Sequence, residues 1–321
     1  MKRIVLILLS LILLLGSATL ILGCDAPKKP TTADNNGTTI AVTSPAAHAL
    51  VSPLLKNYVE DGGTSVVTIV PLYKPGQDMH SFEPAAKDII SLANADVVVC
   101  TGSEAWLDAA LKSSGNSVVR VVSMMEACDV HAVEHDHDHS QEDSTCNLIE
   151  NDEHVWLAVD NATLIVIAVT NALMEADPDN ASVWDKHSEA FKAELIALKA
   201  EFHNAVRASA KKTVVVADRH PFVHLFGHLG LDCIPAFPGC SSETSASFET
   251  QTKLIEAVKT NGLSYIFVIE GSDGKVAEVV AAETGAEILT LHSLQVVTDY
   301  ESVDYVALMR KNLENLKKAL Q

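Results

Sequence analysis

Thirteen histidines are present, and their placement sorts them into two kinds of chemistry. His131, His135, His137 and His139 alternate with Glu134, Asp136 and Asp138 in a stretch without apolar periodicity. Imidazoles interleaved with carboxylates form a multidentate trap for borderline divalent ions. A flexible loop cannot impose one coordination geometry, because ordering its ligands costs conformational entropy. A specific site needs donors on rigid elements, and four isolated histidines follow apparent strand ends or turns. His80 closes a strand and turn, His154 opens the helix after the acidic loop, His220 follows Asp218-Arg219, and His292 follows Ile288-Leu289-Thr290-Leu291. Neutral imidazoles suit Zn2+, whereas Mn2+ prefers oxygen-rich sites, so the expected ion is Zn2+ with Mn2+ as the alternative. Tetrahedral binding with Zn–N near ~2.0–2.1 Å is expected. Uptake displaces protons from imidazoles, so affinity is expected to fall as the pH drops through ~6.5.

The elements that must hold these residues alternate in type. Short β-branched runs at 39–42, 65–70, 97–100, 118–122, 213–217, 265–269 and 287–289 are separated by helical patterns such as 85–93, 252–261 and 274–284. Strand then helix, repeated, predicts an α/β fold with parallel sheets flanked by helices on both faces. Ligands of such sheets bind beyond the carboxyl ends of the strands, where the four histidines fall. Residues 162–176 read as an apolar helix, punctuated by Asp177-Pro178-Asp179-Asn180. Residues 181–210 then read as one helix without glycine or proline, which at ~1.5 Å per residue spans ~45 Å and can bridge two lobes rigidly.

The N-terminus reads as an export signal over residues 1–23: Lys2 and Arg3, an apolar run over 4–15, then Gly16-Ser17-Ala18-Thr19. An uncleaved anchor is the alternative, since 4–23 carries no charge. Ile21 and Gly23 before Cys24 resemble the bacterial lipobox, which makes Cys24 the expected lipidated N-terminus, although Leu22 is bulky for that motif. Residues 24–39 form the expected lipidated tether, placing the body outside the cytoplasm, anchored to the bacterial cell membrane as a lipoprotein. No later stretch is expected to be long and apolar enough to cross a bilayer. The formal charge of −19 argues against a nucleic-acid partner, and loss of residues 1–23 leaves 21 cations against 42 anions. Five cysteines remain in an oxidising compartment, so one must stay unpaired. Cys100, at the end of a buried strand, is the inert one, and pairing neighbours gives Cys128 with Cys146 and Cys233 with Cys240.

Pro75-Gly76-Gln77-Asp78-Met79-His80-Ser81-Phe82-Glu83-Pro84, followed by Ala93-Asn94-Ala95-Asp96-Val97 and Gly102, resembles the signature of the metal-binding lipoproteins of zinc and manganese ABC importers. Asp152-Glu153-His154-Val155-Trp156-Leu157 is similar to that family's second ligand motif. Phe237-Pro238-Gly239-Cys240-Ser241-Ser242-Glu243-Thr244 and the segment Tyr305-Val306-Ala307-Leu308-Met309-Arg310-Lys311-Asn312-Leu313 fit as well, so the resemblance covers about residues 40 to 321. It implies two lobes, each with a parallel sheet flanked by helices, joined by one long rigid helix, with the metal clamped in the cleft between them. The corresponding bounds are an N-terminal lobe 40–178 with a His-rich loop 129–145, a linking helix 179–210 and a C-terminal lobe 211–321. It also implies His80 and His154 as N-lobe ligands and His220 as the first C-lobe ligand, with His292 standing where the family usually has an aspartate. Asp218 or Glu243 remain alternatives for one of these positions.

The function so implied is capture of Zn2+ by an extracytoplasmic solute-binding lipoprotein, which passes it to an ABC transporter permease driven by a cytoplasmic ATPase, the binding protein being a monomer. A manganese importer subunit or a zinc-buffering or adhesin lipoprotein are the alternatives. A zinc hydrolase fits less well: His-Glu-x-x-His is missing, and Glu83 and Glu153 are the only plausible bases. Among the other histidines, His224 and His228 follow His220 at helical spacing after Pro221 and are read as hydrogen-bonded or surface residues. His48 is left out of the site, and His187 and His203 are read as solvent-facing.

Overall fold

The computed structural model describes residues 37–129, 152–237 and 246–321. The N-terminal lobe runs β1 (Gly37–Val42), α1 (Pro45–Val51), β2 (Val66–Pro71), α2 (Ala86–Asn94), β3 (Val97–Cys100), α3 (Leu107–Ser114), β4 (Arg120–Ser123), α4 (Met124–Asp129) and α5 (Val159–Ala176). The long helix α6 (Ala181–Ala208) follows. The C-terminal lobe runs β5 (Thr213–Arg219), α7 (Val223–Leu229), β6 (Asp232–Phe237), α8 (Phe248–Thr260), β7 (Tyr265–Ile269), α9 (Lys275–Thr284), β8 (Glu287–Leu291) and α10 (Tyr305–Ala319). The sheets are four-stranded and parallel, ordered β2-β1-β3-β4 and β6-β5-β7-β8. In each, the first strand has neighbours on both sides, which places a topological switch point at its carboxyl end.

Side chains alternate across each strand with a period of two. Ile40, Val42, Val97 and Val99 face the large core, whereas Ala41, Val98 and Cys100 face a smaller one beneath α2 and α3. Val214 and Val216 likewise join the large core, and Val215 and Ala217 pack under α8 and α9. The large core is continuous: residues of both sheets, α5, α6 and α10 share it. With both faces covered, the central strands read as unbroken apolar runs. Cys100 is 2 % exposed and its thiol donates to the Val122 carbonyl oxygen, while burial pushes its pKa up. It is inert for that reason.

Most expected elements are present, shifted by a few residues at their ends, and several expectations need correction. β6 is not among the expected strands; it contains Pro235 and lies at the sheet edge, where proline is tolerated. α5 is, among the described residues, a helix long and apolar enough to cross a membrane by length and composition, contrary to expectation. Its apolarity serves packing instead, with Ile165, Val166, Val169 and Leu173 fully buried in the core shared with α6. His187 does not face solvent: it is 5 % exposed, bonding the Leu54 carbonyl through Nδ1 and Asp61 through Nε2. His203 is half-buried.

At 28 residues, α6 is ~42 Å long. Trp184, Phe191, Leu195, Leu198 and Phe202 lie at spacings of three, four and seven on its buried stripe. Its start is fixed by Asp177, which is 7 % exposed and accepts from Tyr58 Oη, Ser65 Oγ, Asn180 Nδ2 and Trp184 Nε1 at 2.8–3.3 Å. Asp177→Ala strips these donors of their shared acceptor. We expect a loss of about 3 kcal/mol of stability in urea denaturation, with metal affinity unchanged.

Candidate metal centre

The loop after β2 delivers His80. Gly76 adopts φ +76°, a left-handed conformation that favours glycine, and its N–H donates to the Val297 carbonyl in the opposite lobe at 2.7 Å. Asp78 then caps the short 3₁₀ turn Met79–Ser81, accepting from the His80 N–H at 3.0 Å. The other Asp78 oxygen pairs with Arg219 Nη1 at 3.2 Å, a second tie across the lobes. His80 is left exposed at the mouth.

His154 is positioned by its own carboxylate neighbour. Asp152 Oδ1 accepts from the His154 backbone N–H at 2.9 Å and faces its Nδ1 at 3.0 Å. Burial pushes the Asp152 carboxyl up, but the bonds and charge attraction from His154 outweigh it and leave the pKa below the ordinary carboxylate value. His154 does not open a helix, as expected, but precedes the 3₁₀ turn Val155–Leu157, with α5 starting at Val159. That turn is bolted to the C-terminal lobe: Trp156 Nε1 donates to the Ser293 carbonyl at 2.9 Å, and Tyr305 Oη donates to the Trp156 carbonyl at 2.7 Å. His154 is 1 % exposed.

His80 and His154 come together with ring centroids 5.8 Å apart. Glu153 joins them, its Oε1 3.2 Å from His80 Nδ1 and its other oxygen accepting from Ser103 Oγ. One donor atom from each of His80, Glu153 and His154 lies within 4.8 Å of the others. Sequence reading weighed Glu153 only as a possible base; its adjacency to His154 was the available signal. Glu83 is exposed and outside this group.

His220 and His292 are not members of the group. His220 follows β5, stacks on Phe226 with centroids 5.6 Å apart, and has Nδ1 3.6 Å from Cys233 Sγ. Burial lowers its pKa to about 4, with the Asp152 charge opposing that shift and the His154 charge reinforcing it. His292 follows β8, and Asn312 clamps its backbone, accepting from its N–H at 2.7 Å and donating to its carbonyl at 2.8 Å. Burial and Lys311 lower its pKa. Asp218 accepts from the N–H groups of Arg219 and Ile269, a backbone role. His224 is buried and donates through Nε2 to the Asp152 carbonyl at 2.8 Å. α7 begins at Val223 rather than Pro221, leaving His220 outside the helix. His228 is exposed, near Asp160. His48 is buried with Nδ1 2.7 Å from Tyr73 Oη.

The signal segment, Cys24, the tether up to residue 36, the His-rich loop with His131, His135, His137 and His139, and Glu243 lie outside the described residues. So do Cys146 and Cys240, one partner of each expected disulfide. Chemically, the described group offers two imidazoles and one carboxylate, with a third imidazole on the opposite lobe. Those are the nitrogen and oxygen donors of a zinc-type site.

The chain also has relatives. The family model described as zinc-uptake complex component A, periplasmic, matches residues 52–319. The chain is 27% identical over 271 residues to the high-affinity zinc uptake system protein ZnuA of Bacillus subtilis (strain 168), covering 83% of each. It is 27% identical over 252 residues to the zinc-binding lipoprotein AdcA of Streptococcus pneumoniae serotype 4, covering 76% of this chain and 49% of that longer protein. In fold it resembles the metal-dependent lipoprotein YcdH from Bacillus subtilis, with a TM-score of 0.72 at 24% identity over 88% of this chain and 100% of the other. The Zn(II)-bound ZnuA-like domain of Streptococcus pneumoniae AdcA gives a TM-score of 0.67 at 23% identity, covering 88% and 99%. A match reaching from the residue after α1 to the last residue of α10, through parts of both lobes and the whole helix that joins them, places this chain in the zinc-uptake complex component A family of periplasmic metal-binding proteins.

Proposed function

We propose that this protein captures Zn2+ outside the cytoplasm as cargo and hands it to an ABC permease driven by a cytoplasmic ATPase. The observation that carries the reading is the convergence of His80, Glu153 and His154 within 4.8 Å at the carboxyl ends of the N-lobe strands. His220, kept neutral by burial, supplies the fourth donor from the C-terminal lobe. Glu153 then stands as a donor where His292 and Asp218, which lie outside the group among the described residues, were the expected candidates; Glu243 lies outside the described residues. The ligands come from both lobes, so the ion sits in the cleft, and the continuous core limits how far the lobes can part on loading.

The N-terminal lobe 40–178, linking helix 179–210 and C-terminal lobe 211–321 serve as the clamp. Cys24 acts as the lipid anchor, Cys128–Cys146 as a bridge, and His131, His135, His137 and His139 as an auxiliary collector that raises local Zn2+ concentration, whereas Cys233, expected to pair with Cys240, is a free thiol beside His220. The protein works as a monomer with no nucleic-acid partner. It is a carrier and not a hydrolase: Glu153, the base such chemistry would need, is itself committed to the ligand set beside His80.

The names of the relatives support zinc: the Bacillus protein is a zinc uptake component and the pneumococcal lipoprotein is zinc-binding. The Glu153 carboxylate favours a second reading, Mn2+, since manganese prefers oxygen donors. Elemental analysis of protein purified without added metal, with Zn2+/Mn2+ competition, separates them. Zinc is expected to win by at least about a hundredfold, following the intrinsic order of divalent affinities. A preference for Mn2+ transfers the assignment to manganese uptake, and binding of neither ion overturns both readings.

A further inference from the structure

The nitrogen of His154 that an ion would take has a partner from the opposite lobe. Gln295, on the segment after β8 in the C-terminal lobe, places its side-chain Nε2 2.9 Å from His154 Nε2. The tautomer follows from the other side of the ring. Asp152 Oδ1, a carboxylate oxygen that can only accept, lies 3.0 Å from Nδ1, so Nδ1 carries the proton and Nε2 presents its lone pair. The Gln295 amide therefore donates into that lone pair, since its carbonyl oxygen there would set acceptor against acceptor.

The carrier of this amide is held firmly. Glu270 accepts from Ser293 N–H at 2.7 Å, from Ser293 Oγ at 2.7 Å and from Gln295 N–H at 3.3 Å. Leu294 between them adopts φ +61°, an uncommon conformation for a branched residue, and it is 1 % exposed. Gln295 and His154 are each 1 % exposed, so water does not reach the lone pair while the amide covers it. The backbone is clamped, so the side chain is what can move, by rotation about its own torsions.

We propose that Gln295 is an affinity-setting residue of the metal centre, whose amide occupies the coordinating lone pair of His154 until an incoming ion displaces it. The inference rests on the reading of His154 as a ligand. Every loading event exchanges a cross-lobe hydrogen bond for a metal bond, so measured affinity is the intrinsic affinity lowered by the cost of releasing Gln295. Gln295 tunes the strength of capture without itself touching the ion.

A double-mutant cycle tests this, with Zn2+ affinity read by chelator competition on the full chain. Gln295→Leu keeps the bulk and removes the donor; it is expected to tighten Zn2+ binding by about two- to tenfold, the worth of one hydrogen bond. Gln295→Met repeats the test should the leucine variant fail to fold. His154→Ala is expected to weaken binding, and in that background Gln295→Leu is expected to change nothing, because the lone pair it guarded is gone. Unchanged or weaker binding in Gln295→Leu and Gln295→Met, with His154→Ala still weakening it, overturns the Gln295 proposal and leaves the ligand reading intact. The same gain from Gln295→Leu with and without His154 also overturns it. If His154→Ala leaves affinity unchanged, the ligand reading itself is wrong.

Discussion

Replacing His154 by alanine is expected to lower Zn2+ affinity by about two to three orders of magnitude. A complete four-ligand zinc site binds with ~10–16 kcal/mol, so removing one donor costs about a quarter of that. His154 sits at the upper end of this range because its ring is buried and held in one tautomer by Asp152, so the site spends little entropy ordering it. His80→Ala is expected nearer the lower end, since that ring is exposed and water can take its place. Competition titrations against a chelator of known affinity measure both. If both variants bind as tightly as the parent, the cleft is not the tight site and the His-rich loop must be.

Acid is expected to destabilise the metal-free protein well before its carboxylates titrate. His220 has a folded pKa of about 4 against 6.5 for the free imidazole, and His48, His224 and His292 are shifted in the same direction, in each case mainly by burial. A histidine with a depressed folded pKa stays neutral in the fold while the unfolded chain takes up a proton. Its contribution is therefore fully present above pH ~6.5 and is lost as the pH falls towards 4. His220 alone accounts for about 3 kcal/mol over that window. Asp160 carries the loss further: hydrogen-bonded by His228 and paired with Lys199, it is held at about 2, so its contribution disappears only below the ordinary carboxylate range. Urea denaturation of chelator-treated protein at pH 7 and pH 4.5 is expected to show a drop of several kcal/mol. A flat profile would show that these histidines are solvated. The same burial revises the pH dependence read from the sequence: His220 is not protonated near pH 6.5, so any loss of Zn2+ affinity there must come from other ligands.

The expected rigidity between the lobes is also supported by packing. One stiff helix between lobes predicts small movement, and the fold adds a stronger reason. Val42 and Val99 of one sheet and Val216 and Phe267 of the other belong to a single continuous core. Opening the cleft widely would expose that core to water, at roughly 25 cal/mol for each Å2 of apolar surface.

Local patterns in the chain marked every strand but β6, and the long helix. β-branched runs such as Val97–Cys100 and Tyr265–Ile269 mark central strands because both faces of a parallel strand are covered, and a helix such as α6 is marked by the spacing of its apolar stripe. The motifs around His80 and His154 were equally visible, because a turn cap such as Asp78 or an adjacent carboxylate such as Asp152 acts over two residues. What only the tertiary structure decided lies in contacts between segments far apart in the chain. That Glu153 joins the two rings, that His292 is clamped to Asn312 outside the described group, that His187 is buried against Leu54 and Asp61, and that Gln295 covers His154 from 141 residues away follow from packing. A hydrogen bond or a ligand atom is useful only within a few ångströms, and no periodicity in the chain encodes which distant segments the core brings that close.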